Sequence, residues 1–186
     1  MKKKFKTTKL FTKSEKHRTI LAPYFAEGYS ELLPPLFKLM GYNLINLPSG
    51  DIESAELGLK YANNEICYPA TIVVGSIIKA LQSGKYNLND IAVGITQTGG
   101  QCRASNYISL IKNALVSSGF EHVPVISVAC GDDMTNEQPG FKLKWNKCFK
   151  TALFALMFSD ALSKLYYPAV CRENKKGIAA QLRKQY

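Results

Sequence analysis

Two cysteines stand in turns that lead into predicted helices. Cys67 lies in Asn63-Asn64-Glu65-Ile66-Cys67-Tyr68-Pro69, and Cys102 in Thr96-Gln97-Thr98-Gly99-Gly100-Gln101-Cys102-Arg103-Ala104-Ser105-Asn106-Tyr107. A thiol at a helix N-terminus sits beside unpaired backbone N–H groups and the positive end of the helix dipole, which favour thiolate over thiol. Thiolate is the form that ligates iron or attacks an electrophile. The two residues therefore read as metal ligands or as reactive groups, and the rest of the chain has to separate these.

Iron–sulfur binding suits the local chemistry. Such a cluster is an anion held by thiolates, and helix N-termini and Gly-rich turns supply the amide N–H groups that stabilise it. Gly99-Gly100 lets the backbone bend and approach closely, and Pro69 restricts the turn beside Cys67. The spacing argues the other way. There is no Cys-x-x-Cys pair, so neither a ferredoxin nor a zinc-ribbon pattern is present. On spacing alone, small buried cysteines acting as hydrophobes are the plainer reading. Nucleophilic catalysis would need a base beside Cys102. The only histidines are His17, in the leader, and His122, in a loop at the amino end of a strand. Position 108 is Ile, which excludes a phosphatase-type Cys-x5-Arg loop. Thr98-Gly99-Gly100-Gln101 before a helix makes a plausible anion nest, but it is neither a Walker loop nor Gly-x-Gly-x-x-Gly. Arg103 suits a CoA phosphate or a neighbouring carboxylate, the latter being the commoner case.

The elements that must position these residues follow from periodicity. Thr19-Ile20-Leu21-Ala22-Pro23-Tyr24 reads as a short buried strand that Pro23 ends early. Residues 31–40 carry apolar side chains at helical spacing up to Gly41, with Pro34-Pro35 kinking the helix or delaying its start. Residues 42–47 form a second strand, and Asp51 caps a helix through Ala62. An apolar helix spans 70–81, and Ile91-Ala92-Val93-Gly94-Ile95 is a strand buried on both faces. A helix over 104–118, a strand over 123–128 and a long apolar helix over 145–166 complete the pattern, and the charged tail adds a short helix at most. Cys148 is expected to be buried in the long helix.

Alternating strands and helices of these lengths imply βαβ units. The fold class is therefore α/β, three-layer, with a mainly parallel sheet of about four strands flanked by helices. Ligands gather at the carboxyl ends of such strands. Cys102 follows the third strand and Cys130 the fourth, while the position of Cys67 before the next helix is compatible with the same rim. The organisation reads as a basic leader over 1–18, an α/β domain over 19–166 and a basic tail over 167–186.

Composition narrows the function classes. With 186 residues the chain is long enough for one full core. No apolar run approaches the ~20 residues of a membrane helix, and no hydrophobic signal core follows the basic N-terminus. Five cysteines, an odd number, point to a reducing, cytoplasmic setting. The net charge of +10 resembles a nucleic-acid signature until it is located. Residues 1–18 carry eight Lys or Arg against Glu15, and residues 164–186 carry six against Glu173. The middle holds ten basic and twelve acidic residues. Charge confined to the ends reads as solvated tails, and the aromatic platform of single-strand binders is absent, so no nucleic acid is expected.

At these motifs the chain resembles a segment of the large proteins related to the 2-hydroxyacyl-CoA dehydratases and their ATP-dependent activases, found in anaerobic bacteria. The matching stretches are residues 59–69, Gly84-Lys85-Tyr86, the block from Thr96 to Tyr107, and Val123-Pro124-Val125-Ile126-Ser127, within a region of roughly 18–166. The resemblance implies a dehydratase-subunit-like α/β fold carrying a [4Fe–4S] cluster on cysteines. It implies Cys67 and Cys102 as ligands, and Cys130 joins them as a candidate third by its predicted place at a strand end. Gly99, Gly100 and Arg103 are the accompanying cofactor-binding candidates. The implied partners are an ATP-dependent activase that injects low-potential electrons, other dehydratase-like subunits in a homo- or hetero-oligomer, and an acyl-CoA. In the related dehydratases one electron reduces a 2-hydroxyacyl-CoA thioester to a ketyl radical, which allows the hydroxyl to leave. The family proteins are much longer, and their ATPase domain has no counterpart here. Cys148 and Cys171 look like positions that vary within the family. The alternative from another class is a non-catalytic interaction or scaffold module that kept the fold without a cluster.

Overall fold

The computed structural model describes residues 7–62, 65–97, 102–129 and 136–185. Four strands, β1 (Thr19–Ala22), β2 (Leu44–Asn46), β3 (Ile91–Thr96) and β4 (Val125–Val128), form one sheet in the order β2-β1-β3-β4. Every pairing is parallel, with Ile20 beside Leu44, Leu21 beside Val93, and Val93 beside Val125. Helices α1 (Leu33–Leu39), α2 (Ile52–Tyr61), α3 (Tyr68–Gln82) and α4 (Tyr107–Ser117) fill the crossovers, and α5 (Trp145–Val170) and α6 (Ile178–Arg183) close the chain. This is a three-layer α/β architecture, as the alternation implied.

The period-two geometry of a strand sends alternate side chains to opposite faces. Leu21, Ile91, Val93, Ile95 and Val125 enter one core, with Val74, Ile77 and Ile78 of α3 and Ile108, Ile111 and Leu115 of α4. Ile20, Ala92 and Ile126 enter the other, with Phe37 of α1 and with Phe11, Tyr42 and Phe141. The local signals act as the sequence indicated. Pro34-Pro35 occupy the first turn of α1, so the helix starts late and does not kink. Asp51 caps α2 by accepting a hydrogen bond from Ser54 N–H at 2.9 Å.

The basic ends depart only in part from the solvated tails expected of them: Lys13, Lys16, Arg172, Lys175, Lys176 and Lys184 are exposed, whereas Arg18 and Arg183 are engaged by the fold. Phe11 is fully buried, and Glu15 and Arg18 pair inside the fold, with Lys9 joining Glu15 at 2.7 Å. The Arg18 guanidinium also donates to Leu88 O at 3.1 Å and Ile91 O at 2.9 Å, so this cation ties the leader to the amino end of β3. At the other end Arg183 pairs with Glu27 at 2.9 Å and lies over the Tyr166 ring. Charge counts alone do not reveal that these groups have internal partners.

Helices α2 and α3 form a hairpin whose contact is backbone against backbone. A Cβ on Gly75 would overlap Ser54 O and approach Gly58 N to 2.7 Å, and one on Gly58 would overlap Thr71 O. Only glycine permits this approach. At the far edge of the sheet Gln138 substitutes for a missing strand. Its amide accepts from Ser127 N–H at 2.7 Å and donates to Ser127 O at 2.8 Å, covering part of the open edge of β4.

Candidate functional site

The strand order reverses direction between β1 and β3, since the chain crosses first to β2 and later to β4. Crevices outside the carboxyl ends of strands at such a switch point are where open α/β sheets hold ligands. Helix α4 follows β3 and begins at that rim. Helix α3 runs back toward the start of β3, so its N-terminus stands at the rim as well.

Cys67 is the N-cap residue of α3, extended at φ −66° and ψ 144°, with Pro69 in the first turn. Its carbonyl accepts from Ala70 N–H at 3.0 Å. Cys102 is the N-cap of the 3-10 turn Arg103–Asn106 that feeds α4. Its sulfur accepts from Ala104 N–H at 3.5 Å, and its carbonyl accepts from the Ser105 hydroxyl at 2.8 Å. Both cysteines thus occupy helix-entry positions. Cys67 is half-buried and Cys102 is exposed.

Tyr107, the first residue of α4, connects them. Its hydroxyl lies 3.4 Å from Cys67 Sγ. Burial, the hydrogen bond to Cys67 and the charges of Cys67 and Cys102, in that order, push its phenol up to about 12. At neutral pH the phenol therefore keeps its proton, and either the phenol or the Cys67 thiol can donate across this contact. The two cysteines, separated by 35 positions in the sequence, act on one tyrosine at the rim. Tyr107 closed the motif block in the sequence, but nothing in its spacing marked it as the residue between the thiols.

Gly99, Gly100 and Cys130 lie outside the described residues, as does the side chain of Arg103, whose backbone opens the 3-10 turn. Among the described residues no three His, Cys, Asp or Glu side chains gather as a metal site. Cys148 is buried on α5 and Cys171 is exposed at its C-terminal end. His17 and His122 precede β1 and β4, at the amino ends of the strands, so neither is placed to serve Cys102 as a base. A [4Fe–4S] cluster asks for four soft donors. The pair fits in kind, being thiols at helix N-termini with an N–H donating to the Cys102 sulfur and a hydroxyl in hydrogen-bond contact with the Cys67 sulfur, and it supplies half the number.

Among the described residues no helix is long and apolar enough to cross a membrane. No family model, curated protein or solved structure matches the chain.

Proposed function

We propose that the rim around Cys67, Cys102 and Tyr107 holds a [4Fe–4S] cluster, in a protein related to the 2-hydroxyacyl-CoA dehydratase and activase systems. The observation that supports this most is the shared tyrosine, which feels both sulfurs at a switch-point rim. A bound cluster would supply low-potential one-electron chemistry, for electron transfer or for radical dehydration of an acyl-CoA. Cys67 and Cys102 serve as thiolate ligands, and the remaining ones come from Cys130, a partner chain or a non-cysteine group. The Ala104 N–H and the Tyr107 hydroxyl donate to the sulfurs, and such donors tune cluster potential. Gly99 and Gly100 are assigned to the close backbone approach to the cluster, and Arg103 to a phosphate of a CoA ester. An ATP-dependent activase is the proposed electron donor, and the cytoplasm the proposed compartment.

Anaerobic reconstitution of the full chain with iron and sulfide tests this. The expected product is coloured, binds iron and sulfide, and gives an EPR signal on reduction. Cys67→Ser and Cys102→Ser each lose most of the iron. A colourless wild type with no bound iron removes the proposal. The exposed apolar surface of α5 favours a second reading, a non-catalytic interaction module. On that reading both serine variants keep wild-type stability and assembly, and loss of assembly in either would end it.

A further inference from the structure

Helix α5 is inside out. The side facing the body presents small residues, with Cys148, Ser159 and Ser163 buried and the Ser159 hydroxyl donating to Gly28 O at 2.9 Å. The side facing solvent carries the large ones, with Phe154 68% and Leu165 72% exposed. A surface helix of a finished fold has the opposite polarity. Phe154, Phe158, Leu162, Leu165 and Ala169 recur at intervals of three and four, so they share one stripe along the helix. At its C-terminal end the stripe opens into a cleft of about 180 Å3 between α5 and α6, lined by Leu162, Leu165, Tyr166, Ala169 and Leu182. One helix therefore carries aromatic knobs at one end and an apolar socket at the other.

We propose that this face binds a second copy of the chain through an antiparallel α5–α5 pair. A two-fold axis near the level of Asp160 brings Phe154 and Phe158 of each copy against the α5–α6 cleft of the other, the reciprocal arrangement of an isologous interface. The area agrees. At roughly 200 Å2 for a large side chain, the exposed portions of Phe154, Met157, Phe158, Leu165 and Leu182 leave on the order of 600 Å2 of apolar surface. A stable interface covers about 800 Å2 per partner, so this stripe supplies most of what a dimer needs. Phe149 projects from a different side of α5 and lies outside the pairing.

Sedimentation equilibrium on the full chain across a dilution series reads the mass. The expected wild-type value is twice the 20.6 kDa of one chain. Phe154→Glu and Phe158→Glu, each with wild-type circular dichroism, halve it, whereas Phe149→Glu leaves it doubled. A wild type that stays at single-chain mass throughout overturns the proposal. A dimer insensitive to both glutamates, or one broken equally by Phe149→Glu, overturns it as well.

Discussion

Replacing Gly75 by alanine adds one methyl group where α2 and α3 touch backbone to backbone. The new Cβ would overlap Ser54 O and stand 2.7 Å from Gly58 N, against an ordinary contact of 3.4–4 Å. Neither neighbour is a flexible side chain, and Ser54 O is the tighter of the two, so the helices must part by well over an ångström, which places the cost at the upper end for overpacking, ~3 kcal/mol. Alanine returns about 1 kcal/mol through its better helix propensity. The net loss is ~2 kcal/mol, a Tm lower by roughly 4–8 °C for a chain of this size. Since Val74, Ile77 and Ile78 hold α3 on the sheet, α2 is the helix that gives way. Thermal unfolding followed by circular dichroism measures the first effect. Amide exchange measures the second, with faster exchange over residues 52–61 than over 68–82. A Tm equal to or above wild type would show that helix propensity governs this position and that the close approach is not a constraint. Equal acceleration in both helices would refute the claim that α3 is pinned.

Arg18→Met leaves the buried Glu15 carboxylate with Lys9 as its remaining partner and removes donors from two carbonyls, so it should cost ~3 kcal/mol in urea unfolding, the lower end for a broken buried pair, while Glu15→Leu with Arg18→Met recovers much of that. Burial alone would raise the Glu15 pKa, but the hydrogen bonds from Lys9 and Arg18 outweigh it and hold the carboxyl below its ordinary 4.5. The stability from this pair is therefore present above pH ~4.5 and lost as pH falls through the depressed value. A wild-type-minus-variant difference that does not change with acid would contradict that. The Tyr107 phenol should ionise near 12, read as the phenolate absorbance lost in Tyr107→Phe. Between pH 10 and 12 the unfolded chain releases a proton that the folded chain keeps, so stability falls as pH rises through that window. Cys67→Ala lowers this midpoint only in part, because burial is the leading cause. A midpoint at the ordinary value of 10 in the wild type would remove Tyr107 from the site.

Much of the fold was legible because its signals are local. The run from Ile91 to Ile95 became β3, the capping of α2 by Asp51 follows from its side-chain chemistry, and Pro34-Pro35 marked the start of α1. Placing Cys102 at the carboxyl rim needed only the strand before it and the helix after it. Less legible were features that depend on a second segment. The leader looked solvated until Phe11 entered a core and Arg18 found Leu88 and Ile91. The exposed stripe of α5 was hidden for a related reason. An apolar run reports that a helix wants burial, but not which neighbours are there to bury it.

Sequence alone determined the alternation of strands and helices, the parallel sheet, and a thiol at the entry of each of two helices. These depend on residue type and on neighbours a few positions away. Only the tertiary structure decided that Cys67 and Cys102 act on the same tyrosine, that Gly58 and Gly75 face another helix's backbone, and that the basic ends are partly internal. Each of those is a meeting of distant segments. It is set by how the helices pack on the sheet, and no local period encodes it.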